Sequence, residues 1–158
     1  MATPTARDVL LGLIDEAYDK RAWHDAARLA PRHGSRHRGV AADGRHNTWE
    51  IAVHCAYWKY AVRRRLAGTR RGRFALPGSD WFPTPDPPTD AAWREMLALL
   101  RAEHQQLREV IARLPARALA RAPASSKTST LVLIRGIAAH DLYHAGQIQL
   151  LKRLRAGS

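Results

Sequence analysis

From Trp93 to Leu114 the sequence places Trp93, Leu97, Leu100, His104, Leu107, Ile111 and Leu114 at alternating spacings of four and three. Such a series stays on one face of a helix and forms the seam along which a helix packs in a bundle. Helical periodicity recurs in three other segments, and no segment alternates with the period of two that a half-buried strand requires, so the chain reads as all-α. Helix 1 is expected from about Thr5 to Leu29, with Val9, Leu10, Leu13 and Ala17 on one face and a stop at Pro31 and Gly34. Helix 2 opens at Asn47, which with Glu50 makes a capping box, and runs to about Ala67 before Gly68, with an apolar stripe of Ile51, Trp58 and Val62. Helix 3 is capped near Thr89 or Asp90 and halted at Pro115. Helix 4 follows the Ser125 to Thr130 cluster and reaches about Arg155, where Lys152, Arg153 and Arg155 suit the negative end of the helix dipole.

At 158 residues the chain has the length of one domain, here read as residues 1–158 without internal repeat. Residues 68–88 contain Pro77, Pro83, Pro85, Pro87 and Pro88, with Trp81 and Phe82 as anchors onto the bundle. This connection is too long for a helical hairpin. It is long enough to cross the bundle end to end, which lets helices 2 and 3 run parallel.

The formal net charge is +12, but only four of the 26 basic residues are Lys. Arg abounds together with Ala, Gly and Pro, as in a high-GC coding sequence. The Arg runs at 32–38, 63–65 and 70–73 are scattered and carry no interleaved aromatic residues, so no specific nucleic-acid partner is expected. Cys55 is the only cysteine, which excludes an internal disulfide, a Cys-based zinc site and a CxxC pair and fits a reducing compartment, the cytoplasm by default. The opening segment carries Arg7, Asp8, Asp15 and Glu16 where a signal peptide needs an apolar run, and no stretch is long enough to span a membrane.

The inward positions of helix 4 run Leu133, Ile137, His140, His144, Ile148 and Leu151, so two imidazoles stand where a bundle wants Leu or Ile. On helix 2, His54 lies between Ile51 and Trp58. Buried imidazoles need partners for their nitrogens, and three that converge on one core are satisfied together by a shared metal ion. His140 and His144 are one turn apart, the spacing that lets one helix give two ligands. With a rise of about 1.5 Å per residue, His54 lies roughly 10 Å from the start of helix 2 and His144 roughly 15 Å from the same end of an antiparallel helix 4, so the levels agree. His24 falls on the inward face of helix 1, as a fourth ligand, a proton shuttle or a hydrogen-bonded residue at the bundle end. His104 reads as a core hydrogen-bonding residue beside Glu103 and Gln105, and His33, His37 and His46 as solvated surface.

The segment His140-Asp-Leu-Tyr-His144-Ala-Gly-Gln-Ile-Gln-Leu-Leu resembles the helix 4 signature of the DinB/YfiT-like metalloproteins. Thr48-Trp-Glu-Ile-Ala-Val-His54-Cys-Ala-Tyr-Trp resembles their helix 2 signature, and Ala22-Trp-His24 a helix 1 element of many members. The resemblance covers essentially the whole chain in order. It implies an up-down-down-up four-helix bundle and a divalent metal held by His54, His140 and His144. That metal is usually zinc or nickel, with iron, manganese or copper as alternatives. It also implies a stress-response family whose characterised members include thiol-dependent transferases and a mycothiol-dependent isomerase. The Arg/His-rich linker between helices 1 and 2 departs from the family pattern at the pocket rim.

Three neutral imidazoles leave a coordination position open, which is the mark of a catalytic site. An ion held this way lowers the pKa of a bound water or holds a thiol as thiolate, so metal-assisted hydrolysis or thiol transfer to a small molecule is the expected reaction class. His24 and Asp141 are candidate helpers, Gln147 a partner for His144, and Tyr57 and Tyr143 either lie at the mouth or pack against the loop. Cys55 points about 100° away from His54 along the helix and reads as an inert buried thiol. The expected partners are a small-molecule substrate, including a low-molecular-weight thiol, and a second copy in a homodimer. Two alternatives stand beside this reading: a dinuclear carboxylate site, for which only Asp141-x-x-His144 approximates the pattern, and a non-enzymatic basic protein that binds nucleic acid or metal in a regulatory role.

Overall fold

The computed structural model describes residues 3–18, 46–69 and 72–156. Among these residues there are four helices, α1 (Ala6–Tyr18), α2 (Thr48–Leu66), α3 (Asp90–Arg113) and α4 (Thr130–Ala156), a single 3₁₀ turn at Ala116–Ala118, and no strand. The expected continuation of helix 1 to Leu29, its Pro31 and Gly34 stop, the Ala22-Trp-His24 element, and His33 and His37 lie outside the described residues.

Local chemistry sets the helix ends. The Asn47 side chain accepts from the Glu50 amide at 3.0 Å while the Glu50 carboxylate accepts from the Asn47 amide at 3.3 Å, the reciprocal cap read from the sequence. The chain leaves α2 through Ala67 and Gly68, whose φ of 69° is left-handed. Thr89 caps α3 by accepting from the Ala92 amide at 3.1 Å, and α3 stops where Pro115 can offer no amide. Ser129 Oγ accepts from the Val132 amide at the start of α4.

Pairings between helices fix the topology. Arg7 donates to the Leu114 carbonyl, and Asp15 meets His104 and Arg108, so α1 and α3 are antiparallel. Trp49 shares a cavity wall with Met96, and Arg63 pairs with Glu103, so α2 and α3 rise together. His54 meets His144 and Lys59 meets Asp141, so α4 runs against α2. The bundle is therefore up-down-down-up, with the connection after α2 returning along the bundle before α3 begins. Phe74 and Phe82 of that connection are buried. No helix among the described residues is long and apolar enough to cross a membrane.

Two apolar clusters fill the interior. One gathers Leu10, Ile14, Val62, Leu66, Leu107, Ile111, Ile134 and Ile137, and the other Trp49, Val53, Tyr60, Trp93, Leu100 and Ile148. Every helix also buries polar side chains, among them Asp15 of α1, Lys59 of α2, His104 of α3 and Asp141 of α4. The inward face of α1 differs from expectation, because Val9 is 59% exposed and Ile14 is buried. Leu10, Ile14 and Ala17 are spaced by four and three, and Val9 lies about 100° off that line. The expected stripe of α2 is also too narrow: Trp58 is only half-buried, while Ala52, Val53, Cys55, Ala56 and Lys59 are fully buried.

Candidate metal centre

The three imidazoles expected to converge do so. Ligating atoms of His54, His140 and His144 lie within 4.8 Å of one another, and the three ring-centroid separations are 4.4 to 5.0 Å. One turn of α4 sets the His140–His144 distance, and the antiparallel packing of α2 brings in the third ring. Neighbouring acceptors dictate which nitrogen of two rings is free. His54 Nδ1 lies 2.9 Å from the Asp80 carbonyl, which can only accept, so Nδ1 carries the proton and Nε2 keeps its lone pair. His144 Nδ1 donates to Gln147 Oε1 at 2.6 Å, and the Gln147 amide group donates in turn to the Tyr143 hydroxyl at 3.1 Å.

Asp80 is held to this task from both ends. Its backbone is left-handed, with φ 66°, a conformation that Asp tolerates better than most residues, and its Oδ1 accepts from Trp58 Nε1 at 2.9 Å. Trp81 follows at once and stacks face to face on His54, with centroids 3.9 Å apart. The crossover connection thus supplies the acceptor and the wall that orient a ligand borne by α2.

This donor set fits a divalent ion. His54 Nε2 and His140 Nε2 are 3.1 Å apart. Two imidazoles bound to one tetrahedral ion at about 2.0–2.1 Å stand roughly 3.3 Å apart, so the rings already hold nearly that separation. Burial lowers the pKa of His54 and His144, and that of His140 to about 3, with the neighbouring imidazoles and Lys59 adding to the effect at His140. Burial thus disfavours the protonated form of each ring, which favours the lone pairs that an incoming ion needs.

Asp141, expected as a helper, is fully buried and its Oδ2 is paired with Lys59 Nζ. Burial pushes its carboxyl up while Lys59 opposes that shift. Lys59 is the residue that sequence reasoning missed: it is 0% exposed, sits over the Tyr18 ring, and was hidden by its position beside the expected Trp58 stripe. Cys55 is buried among the same groups, within 4.8 Å of His140 and Asp141, and burial pushes its thiol well up, which suits an inert thiol. His104 does hydrogen-bond in the core, but to Asp15 at 3.2 Å and not to its neighbours: Glu103 is taken by Arg63 and Gln105 is exposed. His24 lies outside the described residues.

Beside the triad opens a cavity of about 430 Å³ lined by His46, Ile51, Trp81, Tyr143, His144, Gln147, Leu150 and Leu151. Tyr143 stands at its mouth, 64% exposed, whereas Tyr57 packs against Phe74 and Phe82 of the connection. His46 is exposed, as expected of a surface residue, with 44% of its side chain open to solvent, yet its ring stacks on Trp81 at 3.4 Å and its Nδ1 lies 3.0 Å from Glu50 Oε2. Only the order of aromatic and imidazole residues across two distant segments could have signalled it.

The family model described as the DinB superfamily matches residues 3–148, a span that holds all three imidazoles and every described residue of the first three helices. No curated protein and no solved structure matches the chain significantly.

Proposed function

The chain belongs to the DinB superfamily, and from that premise we propose that it is a metal-dependent enzyme acting on a small molecule, by hydrolysis or by thiol transfer. The observation that carries this reading is the convergence of three imidazoles, two buried and one half-buried, next to an open cavity. His54, His140 and His144 would hold one divalent ion, zinc or nickel in the first instance. An ion with three nitrogen ligands and an open position supplies Lewis acidity, which lowers the pKa of a water or a thiol in the cavity.

The chain's own residues do the rest. Asp80 and Gln147 hold the Nδ1 protons of His54 and His144 so that both Nε2 atoms face inward. Ile51, Leu150, Leu151 and the edge of Trp81 give the cavity apolar walls that exclude bulk water from one side of a bound molecule. Tyr143 and Gln147 offer hydrogen bonds at its mouth.

The test is metal analysis of untagged protein followed by assay of the loaded protein with a panel of low-molecular-weight thiols and electrophiles. Turnover that requires the metal and disappears in a His140→Ala variant supports the reading. Stoichiometric metal with no turnover across the panel would favour a binding or regulatory bundle instead.

A further inference from the structure

His46 stands just before α2, where the capping box does two jobs at once. Glu50 Oε2 accepts from the Asn47 amide at 3.3 Å and also lies 3.0 Å from His46 Nδ1, while Thr84 Oγ1 donates to Glu50 Oε1 at 3.4 Å. A carboxylate can only accept, so the proton of neutral His46 sits on Nδ1 and Nε2 carries a lone pair. The ring is laid flat on Trp81, with centroids 3.4 Å apart and planes 4° apart. Trp81 is stacked equally flat on His54, at 3.9 Å and 9°. Two imidazoles at such distances cannot share one face of an indole. His46 and His54 therefore lie on opposite faces of Trp81, two stacking distances apart, and one side chain fixes both.

The cavity beside the triad is lined by His46 and His144 together, and among the described residues no Asp, Glu, Lys or Arg lines it. Outside the triad, His46 is thus the one described lining residue that carries an imidazole, a group with a lone pair on one nitrogen to take a proton and a proton on the other to give. We infer that His46, oriented by Glu50 and Trp81, is the proton-transfer residue of this cavity and that the substrate is a small uncharged electrophile. The inference rests on the metal-site reading above.

The step balances without any redox partner. The proton of a water or thiol passes to His46 Nε2, directly or through one water, and the freed electron pair forms the bond to the electrophilic atom. The bond to the leaving group breaks with its electron pair, and a leaving group basic enough to need a proton takes it back from Nε2. Where the leaving group departs as a stable anion, Nε2 passes its proton to solvent water instead, and in either case His46 returns to its starting tautomer.

Two measurements test this. In the metal-free protein, nitrogen NMR of the imidazoles should find His46 as the Nδ1–H tautomer, and Glu50→Gln, which keeps the capping geometry, should weaken that preference. In zinc-loaded protein, hydrolysis of the neutral ester 4-nitrophenyl acetate should fall about a hundredfold in kcat in His46→Phe, which keeps an aromatic ring on Trp81, with KM and zinc content little changed. An Nε2–H tautomer, a His46→Phe variant as fast as the parent, or a parent no faster than His46→Phe would overturn the proposal. Failure of the underlying metal reading is recognisable separately, as zinc far below one per chain in parent and variant alike, and it would remove the proposal with it.

Discussion

Gln147 Oε1 accepts the Nδ1 proton of His144 at 2.6 Å, three residues further along the same helix. That bond fixes the tautomer and aims Nε2 at the other two imidazoles. Gln147→Leu should therefore lower metal affinity by about 10- to 100-fold, the usual effect of removing a partner that orients a ligand, while leaving helix content unchanged. Competition against a chromogenic chelator reads the affinity, and an unchanged value would show that packing alone orients His144.

The buried pair of Lys59 and Asp141 joins α2 to α4 beneath the triad. Removing one partner strands a charge in the core, so Lys59→Met should destabilise the protein by about 3–5 kcal/mol. Lys59→Met combined with Asp141→Leu should recover much of that loss, because the penalty comes from the uncompensated charge and not from the missing attraction. Denaturant unfolding of the four proteins in the cycle measures this, and additive losses would contradict it.

His104 gives stability a dependence on pH. Burial depresses its pKa from 6.5 to about 4, outweighing Asp15, whose carboxylate is also held by Arg108. The unfolded chain takes up a proton below about 6.5 and the folded chain only below about 4, so this contribution is complete above pH 6.5 and is lost as pH falls toward 4. Its full size is up to about 3 kcal/mol. His104→Phe should flatten the change in unfolding free energy between pH 7 and pH 4.5 relative to the parent, and parallel curves would rule it out.

The charge of +12 is expected to give only weak association with nucleic acid. Arg63 pairs with Glu103 and lies over Tyr60, Arg64 also lies over Tyr60, and Arg65 lies over Trp58, so these consecutive cations are engaged within the bundle and form no continuous track. Fluorescence titration with duplex and single-stranded oligonucleotides should show sequence-insensitive binding that is largely gone at physiological salt. Sequence-selective binding tighter than about micromolar under those conditions would overturn the expectation.

The apolar periodicity of α3 and α4 carried most of the fold, because residues such as Leu100, Leu107, Ile111, Ile137 and Ile148 repeat on a face that helix geometry alone defines. The His54, His140 and His144 grouping was legible for the same reason: each stands at an inward position in place of an apolar residue. What escaped was polar burial and long-range stacking. Lys59 pairs with a residue 82 positions away, and nothing local distinguishes it from a surface lysine. His46 meets Trp81 only once the connection folds back over α2, so its role depends on a loop path that no periodicity encodes.

Elemental analysis of untagged protein is the most direct test of the central claim. About one divalent ion per chain should be bound at neutral pH and released as acid protonates the ligands. A His54→Ala, His140→Ala, His144→Ala variant should bind none while keeping its helical circular dichroism. Substoichiometric metal after reconstitution, or a triple variant that binds as well as the parent, would contradict the account.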